Sequence, residues 1–181
     1  MTTASGETVW DRISLIRGDI TTQRVDAIVN AANGTLLGGG GVDGAIHRAA
    51  GSELLDACSR LGGCPTGSAK ITPGFNLAAG QVIHAVGPRY RDGRHGEPEA
   101  LASCYRTVLK LADEHGCDTI AFPAISCGVY AYPIGQAARI SIGTVAEALA
   151  EMSRPRHVSW VLFDERAYGV FASVFGKLKG G

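Results

Sequence analysis

Residues 30–47 read NAANGTLLGGGGVDGAIH, a stretch with two asparagines, four consecutive glycines, an aspartate and a histidine. The apolar residues 27–29 before it predict a buried strand, and residues 45–50 after it predict a helix. Four glycines in a row are entropically costly and add no packing, so they suit a loop that another surface approaches closely. Because the free N–H groups at a helix N-terminus attract anions, the stretch predicts a binding site for a phosphate or diphosphate.

The composition is that of a globular protein, and we expect residues 1–181 to form a single domain with its own core. Its 17 basic residues balance 17 acidic ones, which argues against the basic surface that holds long nucleic acids, although binding of a nucleic-acid end stays open. The chain shows no secretory signal and no apolar run of about 18 residues. We therefore expect a cytoplasmic protein without membrane contact.

Strand and helix patterns alternate along the chain, which predicts a sheet covered by helices on both faces. In such sheets ligands bind beyond the carboxyl ends of the strands. The glycine loop follows one predicted strand, and residues 126–130 follow another. The strands are predicted over residues 9–16, 27–30, 69–72, 81–86, 119–122 and 157–163, and the helices over 45–60 with a break at Gly51, 98–115, 136–152 and 164–178.

Several common sites are excluded by spacing. The glycines at 39, 41 and 44 match G-x-G-x-x-G, but residues 62–65, where the ribose-binding acid of a nicotinamide enzyme is expected, read Gly-Gly-Cys-Pro. No P-loop sequence occurs, and Ser126 lacks the G-x-S-x-G context of a serine nucleophile. The five histidines show no ligand spacing, so we expect neither a metal nor a cofactor.

The cysteines are also informative by their spacing. All five stand apart without a C-x-x-C pair, which predicts reduced thiols. Cys127 alone lies in a glycine-bearing loop, and its role stays open.

The polar residues around the glycines each have an ordinary structural explanation. Asp43 fits a helix N-cap, and His47, four residues later on the same helix face, fits a packed histidine. The loop 126–130 fits either a connection with a packed tyrosine or a second phosphate cradle in which Tyr130 covers a sugar. Together, two glycine loops at strand ends favour a diphosphate-bridged ligand. A strand end, a turn dipeptide and a turn acid would explain Asn30, Asn33 and Asp19.

The chain resembles the macrodomain family, specifically its MacroD-type branch. The resemblance covers essentially the whole chain in the expected order, and it implies a three-layer α/β/α sandwich with a central mixed sheet that binds ADP-ribose. The segments that carry it are GDIT at 18–21, NAAN at 30–33, GGGGVDG at 38–44 with His47, CPTG at 64–67, VIHAVGP at 82–88, AISCGVY at 124–130 and FDE at 163–165.

The resemblance also implies roles for individual residues. Asp19 and the backbone of Ile20 would bind the adenine, on which Phe163 would pack. Asn33 and Asp43 would face the distal ribose, where the bond is cleaved. Asn30 and His47 would support them. The residues that would enclose the diphosphate and distal ribose are Gly40, Gly41, Val42, Ser126, Gly128, Val129 and Tyr130.

The implied activity is hydrolysis of mono-ADP-ribose from glutamate and aspartate side chains, together with deacetylation of O-acetyl-ADP-ribose. Asp43 would hold the attacking water or stabilise positive charge on the ribose. An aspartate is a weak general base near neutral pH. Two routes to activation of the water are therefore open, one through Asp43 and one through the substrate's own phosphate. Two alternatives remain: a non-catalytic module that binds ADP-ribosylated proteins, and a hydrolase of ADP-ribosylated nucleic-acid ends. The joint presence of Asn33, Asp43 and His47 favours a hydrolase.

Overall fold

A six-stranded mixed sheet organises the fold in the computed structural model, which describes residues 7–181. The strands are β1 (Ile13–Arg17), β2 (Ala27–Ala31), β3 (Ala69–Pro73), β4 (Gln81–Ala85), β5 (Thr119–Phe122) and β6 (His157–Leu162), in the spatial order β1-β6-β5-β2-β4-β3. Every pairing is parallel except that of β3 with β4. The helices are α1 (Gly41–Ala50), α2 (Ser52–Ser59), α3 (Glu97–Glu114), α4 (Ile134–Glu151) and α5 (Glu165–Gly180).

Alternation along the central strands divides the core into two clusters, one on each face of the sheet. Ile28 and Val82 belong to the cluster that α1 and α2 cover. Val29 and Ile83, one residue further along each strand, belong to the cluster covered by α3, α4 and α5. Successive side chains of a strand point to opposite faces, so both faces of β2 and β4 are buried. The predicted three-layer α/β/α sandwich with a mixed sheet is confirmed.

The prediction of a strand over residues 9–16 is wrong in its first half. Val9–Arg12 form a 3-10 helix, and the strand begins only at Ile13. The carboxylate of Asp11 accepts hydrogen bonds from the backbone N–H and the hydroxyl of Thr8, at 2.9 and 2.8 Å. This local cap turns the chain where the apolar alternation alone predicted extension.

The glycine run also differs from expectation. The helix predicted to begin near residue 45 begins at Gly41, so the last of the four glycines is already helical. Gly40 is the N-cap, and Asp43 lies in the first turn without capping it, which rules out the ordinary N-cap explanation. The break at Gly51 is confirmed, and the other elements match their predictions to within two residues at each end.

The carboxyl ends of the parallel strands β2, β5 and β6 meet at one edge of the sheet. The chain leaves these ends through the glycine loop, the 123–133 loop and residues 163–164. This edge therefore brings together the two loops that the sequence singled out. Within residues 7–181, none of the helices combines the length and hydropathy that a membrane span requires.

Candidate ligand-binding and catalytic site

A long crevice runs along the carboxyl ends of β2, β5 and β6. It consists of two adjoining cavities of about 510 and 330 Å³ that share four lining residues. We call them the Phe163 cavity, which Asp19 and Ile20 also line, and the Asp43 cavity, which Asn33 and Tyr130 also line. The shared residues form the middle of the crevice: Gly41, Val42, Ala124 and Gly128.

Bare backbone lines the middle of the crevice. A Cβ built on Gly40, Gly41 or Gly128 would meet no atom within 4 Å, so all three positions face open space. Gly41 has a φ of +58°, which glycine adopts without strain and which starts α1 directly at the cavity wall. The N-terminus of this ten-residue helix thus presents free N–H groups to the crevice, an arrangement that attracts anions.

Ser126 stands opposite the glycine loop in a strained conformation. Its φ of +66° lies in the left-handed region, where a residue other than glycine typically costs about 1–3 kcal/mol. The side chain is buried, and its Oγ has no hydrogen-bond partner among residues 7–181. Gly87 must be glycine here, because an added Cβ would collide with Ser126 Oγ. Ser126 thus lines the Asp43 cavity, with its unpartnered hydroxyl buried against Gly87.

Asp43 is the buried carboxylate of the crevice, with only 5% of its surface exposed. Its Oδ1 accepts a hydrogen bond of 2.8 Å from Asn30 Nδ2 and lies 3.4 Å from His47 Nε2. Asn30 is fully buried at the end of β2, and His47 lies one helical turn after Asp43. No hydrogen bond within residues 7–181 uses Asp43 Oδ2, which faces Gly39 and is free to hold a ligand or a water.

Asn33 lines the Asp43 cavity, but its amide is also engaged within its own loop. Nδ2 donates to the carbonyl of Gly38 at 2.9 Å, and Oδ1 accepts from the hydroxyl of Thr35 at 2.6 Å. These bonds shape the turn that leads into the glycines. The structure thus brings Asn33 and Asp43 together, because Asn33 Nδ2 and Asp43 Oδ2 both lie within 3.5 Å of the position that a Cβ on Gly39 would take.

The Phe163 cavity is larger and more apolar than the Asp43 cavity. Phe163 is 82% exposed, an unusual state for a phenylalanine, and lies at the end of β6 beside buried Ile20. Asp19 is exposed, and its Oδ1 accepts from the backbone N–H and the hydroxyl of Thr21, at 2.9 and 2.7 Å. Asp19 therefore stabilises a turn, which is the structural explanation given for it above. It also lines the cavity.

Tyr130 is fixed at the rim of the Asp43 cavity. The guanidinium carbon of Arg89 lies 4.8 Å from the centre of the Tyr130 ring. The backbone carbonyl of Tyr130 accepts a 2.8 Å hydrogen bond from the backbone N–H of Tyr90. Val129 beside it is 97% exposed. Sequence reasoning did not select Arg89, because an arginine in a polar loop gave no sign that it would reach a cavity.

A buried histidine, His84, was also missed as a site residue. Its Nδ1 lies 3.1 Å from Asn30 Nδ2, and its Nε2 lies 2.9 Å from Thr72 Oγ1. It belongs to the VIHAVGP segment that carries the family resemblance. In the sequence it shows no ligand spacing to the other histidines, so it was not selected. The pairing of β2 with β4 brings the two residues together, since Asn30 and His84 are partners in the register.

The surroundings of Cys127 disfavour the ionised form of its thiol. Burial raises the pKa of this thiol to about 12, and its Sγ lies 3.5 Å from the carbonyl of Ile125. Because the thiolate is the reactive form, this shift disfavours reaction of Cys127, which lines the Phe163 cavity.

One group of side chains departs from the expectation that no histidine has ligand spacing. Asp92, His95 and Glu97 place ligand atoms within 4.8 Å of one another. However, Glu97 already accepts hydrogen bonds from the backbone N–H groups of Arg91 and His95, at 2.9 and 2.7 Å, and Asp92 Oδ1 lies 2.9 Å from His95 Nδ1. These contacts account for the cluster as the hydrogen bonds of a loop.

Comparison with known proteins places these features in a family. The Macro domain family model matches residues 29–141. A Macro domain-containing protein of Chlorobaculum tepidum is 60% identical over 159 residues, which cover 88% of this chain and 92% of the relative. A solved Oceanobacillus iheyensis macrodomain with ADP has a TM-score of 0.88 at 44% identity, covering 92% of this chain and 90% of that one. A Trypanosoma brucei macrodomain in complex with ADP-ribose has a TM-score of 0.84 at 43% identity, covering 90% and 68%.

Proposed function

The chain belongs to the Macro domain family, and from this premise we propose that it binds ADP-ribose and removes it from mono-ADP-ribosylated glutamate and aspartate side chains. The observation that supports this most is Asp43, a buried carboxylate with one free oxygen at the end of a crevice lined by bare backbone. Two related macrodomains were solved with ADP and with ADP-ribose. We also propose that it deacetylates O-acetyl-ADP-ribose, an ester on the same sugar. Residues 1–181 are proposed to act as a single domain.

The diphosphate is proposed to bind in the middle of the crevice. The N-terminus of α1 and the backbone around Gly40, Gly41 and Gly128 supply N–H groups where no side chain intervenes. The unpartnered hydroxyl of Ser126 is placed to donate to a phosphate oxygen. Binding would then satisfy a buried donor that otherwise costs about 1–3 kcal/mol.

The two ends of ADP-ribose are assigned by the chemistry of the two cavities. An exposed aromatic ring with open space beside it suits the adenine, so Phe163 is proposed to stack on the base, beside Ile20 and the carboxylate of Asp19. The distal ribose then extends into the Asp43 cavity, beneath Tyr130 and Val129. There the sugar meets Asn33 and Asp43.

Hydrolysis is proposed to proceed by attack of water on the anomeric carbon of the distal ribose. The bond from this carbon to the carboxylate oxygen of the modified residue breaks, and its electron pair leaves with the carboxylate. Oδ1 of Asp43 is held by Asn30, so Oδ2 is oriented to position the water or to stabilise positive charge on the ribose. The proton of the water passes to Asp43 or to the diphosphate of the substrate.

The test is an assay of ADP-ribose release by the full chain. We expect release from a glutamate-linked mono-ADP-ribosylated protein, with O-acetyl-ADP-ribose and a phosphate-linked ADP-ribosylated nucleic-acid end as parallel substrates. Release of ADP-ribose from the modified protein and from O-acetyl-ADP-ribose supports the proposal. Turnover of the nucleic-acid end alone would instead show a hydrolase of ADP-ribosylated nucleic-acid ends.

A binding-only module is the other outcome. Calorimetric binding of ADP-ribose without release from any of the three substrates would show a reader of ADP-ribosylated proteins. The buried hydrogen bond between Asn30 and Asp43 favours the hydrolase, because simple capture of the ligand does not require a fixed carboxylate at the sugar.

A further inference from the structure

The side chain of Asn30 bonds in two directions inside the core. Its Nδ2 lies 2.8 Å from Asp43 Oδ1 and 3.1 Å from His84 Nδ1. On the far side of the His84 ring, Nε2 lies 2.9 Å from Thr72 Oγ1 and 3.5 Å from Cys58 Sγ. A continuous chain of contacts thus joins Asp43 at the crevice to Thr72 of β3 and Cys58 of α2, which covers the same face of the sheet as α1.

The chemistry of these groups fixes the direction of each hydrogen bond. An ionised carboxylate only accepts, so Asn30 must direct one N–H of its amide to Asp43. The other N–H points to His84 Nδ1, which must then carry a lone pair. The ring proton therefore resides on Nε2, where it is donated to Thr72 Oγ1.

We propose that His84 is a positioning residue, whose neutral ring with its proton on Nε2 holds the Asn30 amide in the orientation that fixes Asp43. The inference rests on the proposed function, because Asp43 is the group that is positioned. A protonated Nδ1 would instead attract the amide oxygen of Asn30. The amide would turn over and set that oxygen against the carboxylate, and the hydrogen bond that holds Asp43 Oδ1 would be lost.

The surroundings keep this ring neutral. The titratable groups on the elements packed against it are Asp43 and His47 from α1, Cys58 from α2, and Lys70 from β3, which is its partner in the strand register. The ring centres of His47 and His84 lie 6.4 Å apart, and Lys70 Nζ donates to the carbonyl of Leu61 at 2.7 Å. Burial first, and then the charge of His47, lower the pKa of His84 to about 4. Burial and the charge of Asp43 raise the pKa of Cys58 to about 11, so the thiol is also neutral.

Two amide substitutions test the contact at Nδ1 of His84 separately from the contact at Nε2. His84→Asn places an amide oxygen near the position of Nδ1 and keeps the acceptor for Asn30, while it loses the contact with Thr72. His84→Gln reaches towards Thr72 and lacks the acceptor near Asn30. Both lose the imidazole, so they form a matched pair for stability, which thermal unfolding checks.

The expected result is a split between chemistry and binding. His84→Asn should keep kcat within about threefold of the unsubstituted protein, and His84→Gln should lower kcat by about tenfold or more. The dissociation constant of ADP-ribose should change by less than about threefold in both, because neither variant alters the crevice wall. Equal kcat in the two variants, or equal losses of kcat and affinity, would overturn the positioning role.

A second measurement does not depend on hydrolysis. The ¹⁵N shifts of the His84 ring, read by NMR of the unsubstituted protein, report which nitrogen carries the proton. We expect the neutral Nε2–H form at pH 7, persisting below pH 5. A proton on Nδ1, or a cationic ring at pH 7, would refute the proposal. If the protein releases no ADP-ribose, the proposed function fails by itself, and the ring tautomer still decides whether His84 orients Asn30.

Discussion

The two ends of the crevice are built in opposite ways. At the Asp43 end, polar side chains from β2, β4 and α1 are buried and bonded to one another across the sheet, as with Asn30, His84 and Asp43. At the Phe163 end the polar and aromatic groups offered to a ligand lie at the surface. Phe163 is 82% exposed, and the side-chain hydrogen bonds of Asp19 among residues 7–181 stay within its own turn.

This contrast separates what chemistry requires from what affinity requires. A reacting group must stay within a fraction of an ångström of its productive position, which takes buried partners on several elements. A flat aromatic ring can hold a base in many slightly different poses, since stacking is tolerant of geometry. We therefore expect substitutions at the Asp43 end to lower kcat, and those at the Phe163 end to weaken binding.

The largest effect is expected at Asp43. Asp43→Ala should lower kcat for release of ADP-ribose from a glutamate-linked substrate by about 10²–10⁴-fold, because the group that positions the water is lost. Calorimetry should still detect ADP-ribose binding, since the glycine loops remain. Asp43→Asn is the matched control of similar volume and should be equally slow. Turnover near that of the unsubstituted protein in either variant would remove the assigned role.

The next effect is a loss of stability in acid that originates from the same end. Burial, with the charge of His47, holds the pKa of His84 at about 4, against 6.5 for an ordinary histidine. As the pH falls from about 6.5 to 4, the unfolded chain takes up a proton at this position before the folded one does. The free energy of unfolding should fall by up to about 3 kcal/mol over that window.

Urea unfolding at several pH values between 7 and 4 measures this slope. His84→Asn has no titrating group at this position and should show a correspondingly shallower dependence on pH. The assignment to His84 is wrong if both proteins lose stability in parallel.

At the Phe163 end, Phe163→Ala should weaken ADP-ribose binding by about 1–3 kcal/mol, a typical contribution of a stacked base. kcat should stay the same, because the reacting sugar lies in the other cavity. The melting temperature should change little, since the ring is mostly exposed. Leu55→Ala, at an apolar position of α2 with 42% exposure and outside both cavities, is the control and should leave the affinity unaltered. A fall in kcat without loss of affinity would contradict the assignment of binding to the Phe163 end and of chemistry to the Asp43 end.

The smallest effect is expected at Asp19. Asp19→Asn retains an oxygen for the turn bonds to Thr21 and removes only the charge. The affinity for ADP-ribose should fall by about 1 kcal/mol if the carboxylate accepts a hydrogen bond from the adenine. Calorimetry with ADP-ribose and with ribose 5-phosphate, which has no base, checks this. An equal loss for both ligands would place the effect elsewhere.

Much of the scaffold could be predicted because its causes are local. Apolar patterns predicted every strand after residue 20 and the three long helices to within two residues. The same reasoning failed over residues 9–12, where the bonds between Thr8 and Asp11 override an alternating pattern. It also began α1 too late, since glycine is a poor helix former and the four glycines read as loop.

The site was predictable only in part. The glycine loop and the 126–130 loop were expected at strand ends, because parallel strands place their carboxyl ends together. The roles of Asn30 and Asp43 came from family resemblance, since each residue alone fits an ordinary structural position. Neither His84 nor the strain at Ser126 was selected, because each depends on a neighbour distant in sequence.

By itself, then, the sequence determined a layered α/β sheet, the glycine-lined edge and the class of anion that suits it. These follow from periodicity and from backbone left bare by glycine, which are properties of neighbouring residues. Only the tertiary structure decided that Asp43 is held through Asn30 by a histidine from another strand. The pairing of β2 with β4 creates that contact, and the burial that comes with it sets the protonation of the ring.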